Sequence, residues 1–127
     1  MGRRIVVYGN GDKTRLGFPT AQDFRQWIKE DVFAKFGGRY HYTQGKDADV
    51  IVLSRDGLAH GHFEIEDKVM PDEKDRQVYP RVKFTYIVRS SVLYEKPVHL
   101  AALRIRVCSF GRPIDEVQFA RIKALGL

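Results

Sequence analysis

Residues 36–66, FGGRYHYTQGKDADVIVLSRDGLAHGHFEIE, bring together a Gly-Gly break, three successive rings (Tyr40, His41 and Tyr42), an apolar run and a turn dipeptide. Val50, Ile51, Val52 and Leu53 are apolar at every position, as in a central strand covered on both faces. Asp56-Gly57 is a hairpin dipeptide, because both residue types accept the positive φ that a two-residue β-turn demands. Residues 58–66 are therefore expected to return antiparallel along 50–53. Within that second strand, His60 and His62 are two residues apart, a spacing that in a regular strand puts both on one face.

On the N-terminal side, residues 3–8 read as a strand, since Ile5, Val6 and Val7 are β-branched and the run stops at Gly9-Asn10-Gly11. A basic loop with Lys13 and Arg15 leads to Gly17-Phe18-Pro19. Thr20 is placed as a helix N-cap and Asp23 suits the positive end of the helix dipole. Phe24, Trp27, Ile28, Val32 and Phe36 recur at helical spacing, so a helix is expected to run to about Phe36 and stop at Gly37-Gly38. That stripe reads as core. On the C-terminal side, residues 66–76 are charged, contain Pro71 and read as an exposed loop. Val82, Phe84, Tyr86 and Val88 alternate as in a half-buried strand, and residues 92–94 read as another, ended by Lys96-Pro97. Asp115 and Gln118 have capping-box spacing and Ile114 and Phe119 that of a hydrophobic staple, opening a helix that presents Phe119, Ile122 and Leu125 to the core. The order argues for an α+β fold, a curved, mostly antiparallel sheet flanked by helices.

A chain of 127 residues with one cysteine, Cys108, is expected to be one domain, residues 1–127, without an internal disulfide, and fits a reducing cytoplasm. No apolar run is long enough for a membrane helix, and the opening residues lack the apolar core of a secretory signal. The net charge is +6, distributed as +5 over residues 1–46, −5 over 47–76 and +6 over 77–127. Such a basic, acidic, basic layout suits one positive face that attracts phosphate, with an acidic hairpin turned away from it. Rings beside basic segments suit a flat, anionic ligand such as a nucleotide.

Several stretches resemble the EVE domain, a member of the PUA-like group that also contains the YTH readers of methylated RNA. RIVVYGN, residues 4–10, resembles the family's first strand. Phe36-Gly37-Gly38-Arg39-Tyr40-His41-Tyr42 is similar to its Trp-Asp-Gly-Val-Arg-Asn-Tyr segment, and residues 50–65 to its apolar strand, turn and glycine-containing strand. Residues 97–103 resemble its Pro-Val-Pro-Leu-Ala-Glu-Leu stretch, and 114–125 its closing helix. The resemblance implies a PUA-like pseudo-barrel that accepts a modified base, such as 5-methylcytosine or 5-hydroxymethylcytosine, flipped out of DNA in modification-dependent restriction. It implies a non-catalytic module without a cofactor, any nuclease lying in another domain or partner.

By motif, Phe36 falls where the family has a tryptophan, Gly38 and Tyr42 match it directly, and Tyr40 and His41 fall at its Arg and Asn. Tyr40 and Tyr42 are the expected ring surfaces, while Tyr8, Asn10, His41 and Ser54 are placed to read the base edge. Arg3, Arg4, Lys13, Arg15, Arg39, Arg55 and Arg112 are the phosphate candidates. Modified RNA is the alternative ligand. A further alternative is a small metal-dependent enzyme using His60 and His62, with Glu64 continuing the same face. No Gly-x-Ser-x-Gly or His-Glu-x-x-His pattern is present, and Cys108 lies in an apolar segment that suits a buried thiol.

Overall fold

The computed structural model describes residues 2–9, 19–30, 35–38, 48–70, 72–78, 84–107 and 111–127. Its elements are β1 (Ile5–Tyr8), α1 (Ala21–Glu30), β2 (Lys35–Gly38), β3 (Val50–Arg55), β4 (Leu58–Val69), α2 (Glu73–Val78), β5 (Phe84–His99), a 3-10 turn (Leu100–Leu103), β6 (Arg112–Ile114) and α3 (Glu116–Gly126). One six-stranded sheet has the order β2-β5-β4-β3-β1-β6. Its ladders are antiparallel except β1 with β3, which run parallel. A parallel neighbour needs a long crossover, and the chain between β1 and β3 carries α1 and β2.

The sheet is covered on both sides. Ile5, Val7, Val50 and Val52 pack with Phe119 and Ile122 of α3. Their alternating neighbours Val6, Tyr8, Ile51 and Leu53 pack with Phe24 and Ile28 of α1 and with Phe63. All six residues of β3 are buried, the apolar residues 50–53 between β1 and β4 and the polar Ser54 and Arg55 after them. The β3–β4 turn has Asp56 at φ 52° and Gly57 at φ 79°, the left-handed pair expected of Asp-Gly. Asp115 caps α3 as expected: its carboxylate accepts the Gln118 N–H at 2.7 Å while the Gln118 side chain accepts the Asp115 N–H at 3.0 Å. Thr20 and Asp23 make the same reciprocal pair at the start of α1.

Four expectations about the elements fail, the first three where a long-range partner outweighs the local pattern. The first helix does not continue to Phe36: α1 ends at Glu30, and Lys35–Gly38 pairs as a strand with residues 84–87 of β5. Gly37-Gly38 therefore lies inside a strand and is no helix stop. Residues 66–69 and 73–76 are not loop. β4 continues to Val69 because β5 supplies backbone partners for Asp67, Lys68 and Val69, whatever their side-chain charge, and α2 then begins at Glu73. Residues 92–94 are not a separate strand, since β5 runs unbroken to His99 with Pro97 inside it. Proline is tolerated there because residues 94–97 fall between the pairs Leu93↔Gly61 and Val98↔Ala59 and have no ladder partner on β4. Leu125 is 56% exposed; α3 turns Phe119, Ile122 and Gly126 inward, with Gly126 against the Tyr94 ring.

Candidate functional site

Among the described residues four polar or charged side chains are buried, and three of them, Ser54, Arg55 and His60, lie where β3 ends and β4 begins. Ser54 Oγ donates to the Tyr8 carbonyl at 2.7 Å, tying the end of β3 to the end of β1. Arg55 Nη2 donates to the Pro19 carbonyl at 3.2 Å, beside the start of α1, and its Nε lies 3.7 Å from an Asp56 carboxylate oxygen.

His60 is set by an irregularity in the sheet. β3 pairs Leu53 with Gly61 and Ser54 with Ala59, and β5 pairs Leu93 with Gly61 and Val98 with Ala59, so His60 has no partner on either side. Such a bulge lets two consecutive residues point to the same face. Gly61 makes it possible, because a Cβ there would run into the Val92 carbonyl oxygen and come within 3.1 Å of Ile28 Cγ2. The His60 ring consequently faces α1, edge-on to Phe24 with ring centroids 5.6 Å apart. Arg25 Nη1 lies 3.3 Å from His60 Nδ1, and Arg25 Nη2 donates to the Tyr94 carbonyl at 2.6 Å. Burial, reinforced by the Arg25 and Arg55 charges against Asp56, pushes the imidazole down to about 4, so it is neutral at physiological pH.

His62 points the other way. Its Nδ1 is 2.8 Å from the Tyr94 hydroxyl, and its ring meets Phe119 of α3 edge-on at 5.0 Å. Burial lowers His62 to about 4 and raises the Tyr94 phenol above its ordinary value. The expectation that His60 and His62 share a face is thus corrected: the bulge breaks the strand's period of two, and the rings sit on opposite sides of the sheet. They cannot ligate one ion together. Among the described residues no group of three His, Cys, Asp or Glu could hold a metal.

The other candidates divide by position. Tyr8 is buried, and Gly111, at φ 86°, admits its ring because a Cβ there would lie 2.6 Å from Tyr8 Cε1. Phe36 and Gly38 lie on β2 opposite Tyr86 and Phe84, level with the Lys68 end of β4, whereas Tyr8 is level with Gly61 through Leu53. Asn10, Tyr40, His41, Tyr42, Lys13, Arg15 and Arg39 lie outside the described residues, as does Cys108. Arg3 grips Glu116 with two hydrogen bonds of 2.8 Å, which raises the guanidinium pKa and lowers that of the carboxylate. The Arg4 N–H donates to Asp49 at 2.8 Å. Arg112 is exposed and donates to the Arg106 carbonyl at 3.0 Å. Arg25, which holds the His60 ring, is a residue that sequence reasoning missed; its only signal is its place beside Phe24 at the edge of the apolar stripe of α1. Trp27 packs as expected, stacked on Phe24 at 5.9 Å and edge-on to Phe63 at 5.4 Å.

The chain is similar in structure to a point mutant of ZmASCH from Zymomonas mobilis, with a TM-score of 0.63 and 10% sequence identity over 99% of both chains. The fold is PUA-like. At that identity the likeness concerns the fold alone. No protein-family profile matches the chain, and no curated protein matches it. The PUA-like sheet accounts for the placement of the polar cluster: Tyr8, Ser54, Arg55 and His60 stand at the ends of three neighbouring strands, beside the start of the helix that follows β1. No helix among the described residues is long and apolar enough to cross a membrane.

Proposed function

We propose that this chain is a nucleic-acid-binding module that accepts a methylated or hydroxymethylated base flipped out of DNA. In this reading it is an EVE-type specificity domain of modification-dependent restriction, and cutting belongs to a nuclease domain or partner. The observation that carries the reading is the PUA-like fold across the whole chain. The basic first and last segments of a chain of net charge +6 support it, as does the resemblance of residues 36–42 to the ring-bearing segment of the EVE family. Extruding a base costs a few kcal/mol. Each stacking ring returns roughly 1–3 kcal/mol, so Tyr40 and Tyr42 together can offset the extrusion.

The edge of the base is then read by polar groups at the strand ends. Ser54 spends its proton on the Tyr8 carbonyl, which leaves its hydroxyl oxygen to accept from an amino group. Phosphate attraction falls to exposed cations such as Arg112 and to the basic loop with Lys13 and Arg15. Arg3 contributes only if a phosphate displaces Glu116.

The test is a binding panel of matched duplexes carrying unmodified, 5-methyl, 5-hydroxymethyl or N6-methyl bases, repeated with single-stranded RNA. Salt-sensitive binding that favours a modified duplex is the expected result. Equal affinity for modified and unmodified DNA overturns base recognition, and preference for modified RNA moves the module to that ligand.

A further inference from the structure

The 3-10 turn after β5 closes on a residue that its backbone does not favour. Arg104 sits there at φ 60° and ψ 32°, its N–H donating to the Ala101 and Leu100 carbonyls. Among the described non-glycine residues Asp56 is the other with a positive φ, and aspartate tolerates it. Glycine would close the same turn without a Cβ crowding the carbonyl oxygen, so local structure does not account for an arginine. The reason lies in its side chain.

The turn is seated on the β3–β4 hairpin, where the Leu100 N–H donates to the Gly57 carbonyl at 3.0 Å. Ile105 is buried in the core shared by β1 and α3, and Arg104 and Arg106 on either side of it are both exposed. Arg112, on the edge strand β6, donates through Nε to the Arg106 carbonyl at 3.0 Å, which ties it to the same segment. The preceding Gly111 lies against the Tyr8 ring. Three exposed guanidiniums therefore stand beside the strand ends that carry Tyr8, Ser54 and Arg55. None of the three has a carboxylate partner among the described residues, and the nearby Asp56 lies 3.7 Å from Arg55 Nε. Like charges gathered without a counter-ion repel one another, a cost that a polyanion removes. The planar fork of arginine matches phosphate oxygens two at a time. A membrane-binding surface would pair such cations with apolar side chains to insert. The exposed large apolar side chains, Met70, Val117, Leu125 and Leu127, are on other segments.

We propose that Arg104, Arg106 and Arg112 form a phosphate track that holds the sugar-phosphate backbone of a nucleic acid along the rim of the sheet, beside Tyr8 and Ser54. The left-handed backbone of Arg104 is then a stability cost retained for binding. This deepens the nucleic-acid reading above and rests on it.

The experiment measures binding of wild type, Arg104→Gly, Arg106→Gln and an Arg104→Gly, Arg106→Gln, Arg112→Gln triple variant to duplex DNA and to single-stranded RNA over a salt series. Thermal unfolding of each protein and binding to phosphatidylcholine vesicles containing phosphatidylserine accompany it. Arg104→Gly is expected to melt at or above the wild-type temperature, yet to bind nucleic acid roughly threefold or more weakly, with a salt slope lower by about one. Each further arginine removed should lower the slope by about one again. Wild-type affinity and slope in the triple variant overturn the track and leave the nucleic-acid reading standing. A lower melting temperature in Arg104→Gly shows that the arginine serves the fold and overturns its retention for binding. Tighter wild-type binding to the vesicles than to either nucleic acid, lost in the triple variant, assigns the surface to a membrane and overturns the proposal. Wild type that binds neither DNA nor RNA removes the nucleic-acid reading, and the proposal with it, before any variant is compared.

Discussion

Acidification is the sharpest probe of the two buried histidines. His60 and His62 are 2% and 3% exposed, and both are lowered from 6.5 to about 4, chiefly by burial. Around His60 the Arg25 and Arg55 charges act in the same direction and Asp56 opposes them; around His62, Glu64 opposes burial while Lys123 and Arg3 reinforce it. In the unfolded chain each imidazole takes up its proton as pH falls through 6.5, but the folded chain resists until about 4. Between those limits the unfolded state binds more protons, so stability declines as pH declines. The contribution is whole above pH 6.5 and spent near pH 4. At about 1.4 kcal/mol per pH unit, the interval of about 2.5 pH units corresponds to roughly 2–3 kcal/mol for each histidine once solvent relaxation is allowed for. The pair then takes about 5 kcal/mol from a domain whose total is typically about 5–15 kcal/mol, enough to bring it close to unfolding. Glu116 does not confuse the window. Its pKa is depressed by Arg3, so its contribution is lost only as pH falls through a value below the ordinary 4.5. The assay is urea unfolding followed by Trp27 fluorescence, stepped from above pH 6.5 to just above pH 4, for wild type and for a His60→Gln, His62→Gln double variant. The wild-type midpoint should fall steeply through the window and that of the double variant much less. Equal slopes for the two proteins would falsify the assignment of the acid sensitivity to these rings.

Gly61→Ala forces a Cβ onto the Val92 carbonyl oxygen, so the bulge must shift; a loss of about 1–3 kcal/mol in urea unfolding is expected, and an unchanged midpoint contradicts the close approach of β4 to β5. Asp115→Ala leaves the Gln118 N–H without its carboxylate and should lower stability by about 1 kcal/mol, with Asp115→Asn keeping most of it; an alanine variant as stable as wild type shows that the cap contributes nothing. Tyr42→Ala is expected to abolish preference for a modified duplex while the protein stays folded, and retained preference takes Tyr42 out of the pocket. Arg15→Ala should weaken binding to modified and unmodified DNA alike and reduce the salt slope by about one, so a loss confined to modified DNA argues against a phosphate contact.

The sheet's centre was legible because its signals are local. Four apolar residues followed by Asp-Gly define a buried strand and a tight turn whatever the rest of the chain does, and the Asp115-Gln118 spacing specifies its own cap. Features set by a distant partner were not legible. Nothing near Lys35 or Lys68 announces that β5 is long enough to pair with both, and nothing near Pro97 says that β4 withdraws from it. The bulge at His60 is the plainest case, because it arises from a mismatch in residue count between Ala59–Gly61 and the strands on either side. A single strand's sequence does not contain that count, so the rule of alternation assigned His60 to the wrong face.

That one displaced residue changes what the two histidines mean. In a regular strand they form a pair, and a pair suggests a metal. Out of register they become a comparison within one protein. His62 sits among Tyr94 and Phe119 with its Nδ1 hydrogen-bonded to the Tyr94 hydroxyl, as a core histidine should. His60 is buried as deeply, yet its Nε2 has no hydrogen-bond partner among the described residues and two arginines lie nearby. Burial alone does not distinguish the rings, and neither does their protonation; the difference lies in hydrogen bonding and in local charge. A bulge, a glycine that permits it and an arginine anchored on a backbone carbonyl all act on the same imidazole.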